Sequence, residues 1–319
     1  MKPWNVVLTG ATGFVGSAVL RRLAMTAGPG GRPVRIVAVS RRAVPEDQDG
    51  AVRRVSADVS DPAGVRGLLA GADALVHAVS YVGKDAELCR AVNIDGTMFL
   101  MREAADAGVE RIVQVSTSAV YGPGPHRGVD VRDLRPAPSS VASASRLAAE
   151  SFTLGAGGLV LRPNLIVGRG DAWVVPAIAE LTRRVPPQWG HGTGLQSVVD
   201  VDDLARLVAA SATGARPCQG VQHAAHPRAV STAALREELS RHGLAAPADG
   251  AASWESCRTL LRRSTGRFGD RQLELLTLDH HYLSDRVWTL LGVDPGPGPL
   301  ARLARSAAWY RRAAGVSAT

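Results

Sequence analysis

The chain has 319 residues, 45% of them hydrophobic, which is enough for one large domain or two modest ones with a sizeable core. Its formal net charge is +8, but the arginines are scattered without a basic stripe, which argues against a nucleic-acid surface, and no apolar run reaches membrane-spanning length. Cys89, Cys218 and Cys257 are odd in number and not in metal-ligand spacing, which excludes a disulfide framework and leaves no metal site to expect. The N-terminus runs straight into a predicted strand with no leader-like segment, so the expected location is the cytoplasm.

The first predicted elements lie in Asn5 to Leu20, NVVLTGATGFVGSAVL. An apolar run (Val6, Val7, Leu8) precedes Gly10, Gly13 and Gly16, and a helix-like pattern follows. A buried parallel strand, a sharp turn and a helix whose free N–H groups face an anion require that order. Gly10 is expected to allow the turn, Gly13 to admit a pyrophosphate, and Gly16 to let the helix lie close to the sheet. A second strand, Val34 to Val39, ends in Ser40-Arg41-Arg42. Arginine at this position suits the 2′-phosphate of NADP(H) where an acidic residue would suit the ribose of NAD; the alternative is two solvated arginines.

A third strand, Arg53 to Ala57, leads into Asp58-Val59, where Asp58 is placed to accept from the adenine amino group. Asp61 reads as the N-cap of a short helix, Pro62 to Leu69. The fourth strand, Ala74 to His77, runs into Ala78-Val79-Ser80, which is expected to lie over the dinucleotide. His77 itself reads as a packed, hydrogen-bonded histidine. Glu87 to Ala107 reads as a long helix containing Asn93 and interrupted at Gly96. The fifth strand, Arg111 to Val115, ends in Ser116-Thr117-Ser118. A Pro/Gly-rich loop from Gly122 to Pro138, a helix from Ala142 to Leu154 and a sixth strand, Gly158 to Leu161, complete this half.

Strictly alternating strands and helices predict a doubly wound parallel sheet of the α/β class, with ligands beyond the carboxyl ends of its strands. The expected division is a Rossmann-type dinucleotide-binding domain over 1–170, with a return segment near 195–214, and a smaller C-terminal substrate-binding cap over 171–319. The cap contains Trp173, Trp189, Trp254, Trp288 and Trp309, and a frayed tail is expected from Gly315.

With these motifs in view, the chain resembles the extended short-chain dehydrogenase/reductase family, the NAD-dependent epimerases and dehydratases. The matching features are TGATGFVG (Thr9 to Gly16), Asp58-Val59, the segment from Val92 to Gly122, RLAAE (Arg146 to Glu150), LRPN (Leu161 to Asn164) and VDVDD (Val199 to Asp203). The resemblance implies cofactor contacts at Phe14, Val15, Ala78, Asn93, Ser116, Pro163 and Ile166. Thr12, Val115 and Asn164, inside the same motifs, complete the candidate NADPH/NADP⁺ set.

The departures bear on chemistry. The family's catalytic Tyr-x-x-x-Lys falls on Ala142 and Arg146, while its active-site Ser/Thr is retained as Thr117. Among the four tyrosines, Tyr121 is expected to stack, Tyr282 and Tyr310 lie far along the cap, and Tyr81, with Lys84 three residues on, is the candidate replacement acid. A dehydratase's acid pair would fall on Ser118 and Ala119, and a nucleotide-sugar enzyme's diphosphate arginine on Gln196; both departures lower a sugar-nucleotide reading.

A phenol on the substrate, held beside the ketone, has the acidity of tyrosine and a high effective concentration. Arg146 stays charged, so it is expected to hold the cofactor ribose and favour the resulting phenolate. The pattern is similar to aromatic-polyketide ketoreductases that lack the tyrosine. It implies NADPH-dependent reduction of an angucyclinone-type ketone in antibiotic biosynthesis, with a small-molecule aromatic polyketide as partner and oligomeric state open. The alternative is a catalytically silent NADP(H)-binding regulatory or scaffold protein.

Overall fold

A computed structural model describes residues 1–41 and 51–314. In chain order the first half comprises β1 (Trp4–Thr9), α1 (Phe14–Leu23), β2 (Val34–Ser40), β3 (Val52–Ser56), α2 (Pro62–Val65), β4 (Ala74–His77), α3 (Ala86–Leu88), α4 (Gly96–Asp106), β5 (Arg111–Val115), β6 (His126–Val129), α5 (Val141–Gly155) and β7 (Leu159–Arg162). The second half comprises β8 (Leu165–Val167), α6 (Val174–Arg184), β9 (Gln188–Trp189), β10 (Leu195–Gln196), β11 (Val198–Asp200), α7 (Val201–Thr213), β12 (Gly220–His223), β13 (Val230–Ser231) and α8 (Thr232–Arg241). It ends with β14 (Ala251–Ala252), α9 (Trp254–Arg262), α10 (Asp270–Thr277), β15 (His280–Tyr282), α11 (Asp285–Leu291) and α12 (Pro299–Ala313).

Seven strands form one parallel sheet in the order β12-β7-β5-β4-β1-β2-β3. This is the doubly wound α/β sheet expected of the strand–helix alternation. Side chains alternate across it with period two. Val6 and Leu8 of β1 pack with α1 and with Leu204 and Val208 of α7 on one face. Val7 packs with Leu100 and Met101 of α4 on the other. Burial on both faces explains why these strands read as nearly continuous apolar runs.

The boundaries of β4 and β5 are as the sequence predicts. Asp61 caps α2 by accepting from the Ala63 N–H, but that helix ends at Val65 because Gly67 takes a left-handed φ of +71°. The long helix after β4 is not interrupted at Gly96: helical backbone runs through it, widened over Cys89–Asp95 into a π-helical stretch. Gly96 sits where a Cβ would come within 3.1 Å of Val59, so the helix packs closely on the Asp58-Val59 loop.

The sheet draws more from the second half than the return segment near 195–214. β12 adds a seventh strand at residues 220–223, and α11 packs Val287 and Trp288 into the same core as β1. The reverse exchange occurs too. The Pro/Gly-rich loop contains β6, which joins a four-stranded sheet in the order β13-β10-β15-β6. The cap core is built around Trp189, Leu181, Leu235 and Tyr310; Trp288 belongs to the other core, and Trp173 is 54% exposed. Among the described residues no helix is long and apolar enough to cross a membrane.

Candidate active site

The carboxyl edge of the sheet brings the Gly-rich turn together with the ends of β4, β5 and β7. Gly10 has φ +79°, and a Cβ there would lie 2.8 Å from the Ala78 carbonyl, so turn and β4 extension pack backbone to backbone. Gly16 abuts the Gly10 carbonyl oxygen, which makes it the residue that lets α1 start directly on the turn. Thr12 and Gly13 are exposed. No side chain caps α1 and no acidic residue stands in its first turn, so N–H groups at Phe14 and Val15 are open to an anion. This cradle fits a dinucleotide pyrophosphate. Gly170, in the loop after β8, would place a Cβ 2.8 Å from the Phe14 ring and so closes the same mouth.

At the adenosine end, Ser40 finishes β2 opposite Ser56, and the exposed Arg41 follows; its backbone oxygen accepts from Ser56 Oγ at 3.3 Å. Arg42 lies outside the described residues. Asp58 accepts from the Ser60 hydroxyl at 2.7 Å and the Ser60 N–H at 2.9 Å, and these bonds, aided by Arg41, hold its carboxyl below the usual range. Val59 is buried against the second face of the sheet.

In the middle, Asn93 is buried and its amide is fully engaged. Its Oδ1 accepts from the Tyr81 N–H at 2.7 Å, and its Nδ2 donates to the Tyr81 carbonyl at 2.9 Å and Ser145 Oγ at 2.8 Å. Asn93 thus fixes the chain just after Ala78-Val79-Ser80. Tyr81 folds back over Gly83, where an added Cβ would run into its hydroxyl. His77 is buried between Thr9 Oγ1 (2.8 Å) and Thr97 Oγ1 (3.0 Å), and burial, with the nearby Arg146 charge, lowers its pKa to about 4. It is a neutral packing residue.

The β5 edge carries the candidate reactive groups. Thr117 N-caps a short turn, its Oγ1 accepting from the Ala119 N–H at 3.1 Å. Ser116 Oγ donates to Glu150 at 2.5 Å. Ser118 Oγ donates to Asn164 Oδ1 at 2.7 Å, and its backbone N–H to the Pro163 carbonyl at 2.8 Å. Asn164 Nδ2 reaches the Ser197 and His280 carbonyls, tying this edge to β15. Ile166 on β8 packs against the main core.

Helix α5 begins with Ser140 and Ser143 in a reciprocal capping box. It carries Ala142 and, one turn on, Arg146. The Arg146 guanidinium donates to the Val115 carbonyl at 3.2 Å, its one hydrogen bond among the described residues. Burial pulls its pKa down to about 10, against the opposing pull of Glu150, so it remains a cation at neutral pH. An arginine has five N–H donors, so most of those of Arg146 are not committed to a protein acceptor.

The tertiary structure also assembles groups that local sequence patterns did not reveal. Tyr282, expected far along the cap, lies on β15, stacked on Tyr121 at 5.6 Å. Its hydroxyl hydrogen-bonds His126 Nδ1 at 2.8 Å and also engages Ser118. Tyr121 hydroxyl bonds His223 Nε2 at 2.7 Å and accepts from Arg162 at 2.8 Å. Arg162 in turn forks onto buried Glu150. The repeated His and Tyr of HHY (His280–Tyr282) is the only local hint, and it does not reveal a partner 156 residues away. Among the described residues no three His, Cys, Asp or Glu converge as metal ligands.

A family model described as the NAD dependent epimerase/dehydratase family matches residues 6–218. A 2-alkyl-3-oxoalkanoate reductase of Stenotrophomonas maltophilia is 29% identical over 193 residues, covering 56% of each chain. A 4-hydroxy-2-methyl-3-oxo-4-farnesyl-3,4-dihydroquinoline-1-oxide ketoreductase of Stigmatella aurantiaca is 30% identical over 195 residues, covering 58% of this chain and 57% of that one. The chain therefore aligns with little more than half the length of these two relatives. Among solved structures, MoeE5 in complex with UDP-glucose and NAD superposes with a TM-score of 0.70 at 23% identity, covering 97% of this chain and 99% of that one, which is a likeness of fold.

Proposed function

The chain belongs to the NAD dependent epimerase/dehydratase family, and from that membership we propose that it is an NADPH-dependent ketoreductase acting on a cyclic ketone with a neighbouring phenol, of the angucyclinone type. The carrying observation is the state of the four phenols. Tyr121, Tyr282 and Tyr310 have hydroxyls engaged with buried partners, and Tyr81 is folded onto Gly83. Burial raises the pKa of Tyr121, Tyr282 and Tyr310 alike, which makes each a weaker acid. The position one turn before Arg146 on α5 is Ala142, which has no proton to give.

The nicotinamide, when bound, supplies the hydride. The chain's residues do the rest. The Gly10–Gly16 turn holds the pyrophosphate, and Arg41 with Arg42 favours a 2′-phosphate. Thr117 faces the reacting oxygen from the β5 edge. The substrate phenol gives its proton to the forming alkoxide, and Arg146 stabilises the phenolate left behind, which water reprotonates. Names of relatives that specify 3-oxo substrates support reduction of a ketone. Ser118 and Ala119 supply no carboxylate for a dehydration. Gln196 is buried, with its amide nitrogen on the Leu278 carbonyl at 2.7 Å, and brings no charge to a sugar diphosphate.

The test is NADPH oxidation with 8-hydroxy-1-tetralone and its 8-methoxy analogue. The hydroxy compound should be consumed at least tenfold faster, a modest share of what an intramolecular donor contributes. Equal rates would remove substrate assistance. Tight NADPH binding with neither compound consumed would favour a silent cofactor-binding protein.

A further inference from the structure

Tyr310 lies on the last helix, α12, outside the stretch that carries the family motifs, yet its hydroxyl reaches the loop that closes the cofactor mouth. That hydroxyl accepts from the Gly168 N–H at 2.7 Å and donates to Asp171 Oδ2 at 2.9 Å, and both side chains are buried. Gly168 to Asp171 is a tight turn, closed by the Asp171 N–H on the Gly168 carbonyl at 3.0 Å. One phenol therefore ties both ends of the turn. Asp171 also caps α6, accepting from the N–H groups of Trp173, Val174 and Val175. The turn is enclosed on its other side as well. Gly168 has φ +119°, and a Cβ there would meet Val201 at 2.9 Å and the Asp200 carboxylate at 3.0 Å. What the turn presses on is Phe14. Gly170, with φ +103°, abuts that ring, and Phe14 opens α1 with one of the N–H groups free for the pyrophosphate. Ile166, an expected cofactor contact on β8, precedes Gly168 by two residues.

We infer that Tyr310 is a positioning residue for the cofactor: through Gly168 and Asp171 it holds the turn against Phe14, and so keeps the pyrophosphate-facing start of α1 in its binding geometry. This rests on dinucleotide binding at the Gly10–Gly16 turn and not on which ketone is reduced. Removing the hydroxyl strands the Gly168 N–H, a buried donor with no second acceptor among the described residues. Asp171 keeps its three backbone donors. The loss therefore falls on the turn and not on the start of α6.

The experiment measures NADPH and NADH dissociation constants by fluorescence titration of the full chain, with no ketone present, beside thermal melts. Tyr310→Phe keeps the ring in the cap core and should weaken both cofactors about tenfold, the scale of one buried hydrogen bond. The ratio of NADPH to NADH affinity should not change, because the adenosine end is untouched. Trp189→Phe alters the same cap core, but its indole bonds Val185 and not the turn. It should lower the melting temperature and leave both constants within about twofold. In a Phe14→Leu background, Tyr310→Phe should cost less than about twofold more, since the turn then has no ring to hold. Gly170→Ala tests the same contact without touching the cap core: the added methyl meets Phe14, and both cofactors should again bind about tenfold more weakly. Unchanged constants in Tyr310→Phe or Gly170→Ala, an equal weakening in Trp189→Phe, or the full tenfold loss in both backgrounds would each overturn the inference. No binding of either cofactor by the unaltered chain would remove it together with the dinucleotide site. Constants as expected, with no ketone consumed, would leave it standing and sink the reductase reading instead.

Discussion

Arg162 and Glu150 form a forked ion pair beneath the β5 edge, Nε lying 3.0 and 3.2 Å from the two carboxylate oxygens and Nη2 2.5 Å from one of them, with both side chains buried. Ser116 donates to the same carboxylate, and Tyr121 accepts from the same guanidinium. The pair therefore joins α5, β5 and β7 at the point where the site is built. A buried pair adds little net stability over apolar groups, but leaving one partner alone costs about 3–5 kcal/mol. Arg162→Met should lower the unfolding free energy measured in urea by that amount, and the added change Glu150→Leu should recover part of it. A single variant as stable as the parent would show that the pair is not fully desolvated.

Arg236 makes the opposite arrangement. It is buried with no acidic partner, its guanidinium donating to the carbonyls of Pro186, Pro187, Ala246 and Pro247 and lying 5.6 Å over Trp189. It clamps the two cap loops that lead into the paired strands β9 and β14, adding to the backbone bond from the Asp249 N–H to the Pro186 carbonyl. Arg236→Ala strands three carbonyls, since Pro186 also accepts from the Asp249 N–H, so a loss of about 3 kcal/mol is expected in urea unfolding. Arg236→Lys should rescue little, because an ammonium cannot span the planar fork.

Stability should fall as pH drops below 6.5. Burial holds His77 and His223 neutral down to about 4, against 6.5 when unfolded, so the unfolded chain binds more protons in that window. His126 and His280 shift the same way. Asp200 opposes them: burial raises its pKa from 3.8 to about 6, so from pH 6 to 4 the folded chain keeps its proton and offsets one histidine. Each unbalanced proton is worth about 1.4 kcal/mol per pH unit. Unfolding at pH 7, 6 and 5 measures the slope, and His77→Asn should flatten it by about one proton's share. An unchanged slope would contradict the buried neutral histidine.

Cofactor selection should depend on the end of β2. The double change Arg41→Ala with Arg42→Ala should weaken NADPH binding by about tenfold to a hundredfold, as for loss of charge-assisted hydrogen bonds, and leave NADH within a few-fold. Equal losses for both cofactors would mean that these arginines are merely solvated.

Within the site, Arg146→Ala should lower kcat for 8-hydroxy-1-tetralone by about tenfold to a thousandfold, the scale of one electrostatic stabiliser. Thr117→Ala should have a smaller effect, and Tyr81→Phe should leave turnover within twofold. Loss of turnover in Tyr81→Phe would return the proton donor to the polypeptide.

The sequence by itself determined the dinucleotide half of this protein. Gly10, Gly13 and Gly16 are spaced for a turn that no other residues make so easily, and strands such as Ala74–His77 declare themselves by short apolar runs. These signals are local, because a turn's φ and a strand's burial are set by residues within one or two turns of each other. Only the tertiary structure decided the substrate side. It moved β12 and α11 into the main core and β6 into the cap sheet. It also carried Tyr282 to Ser118 and Arg271 to Ser139, contacts across more than a hundred residues. Such pairings depend on which apolar faces meet when the two cores pack, and a polar residue in a loop carries no periodicity that names its partner.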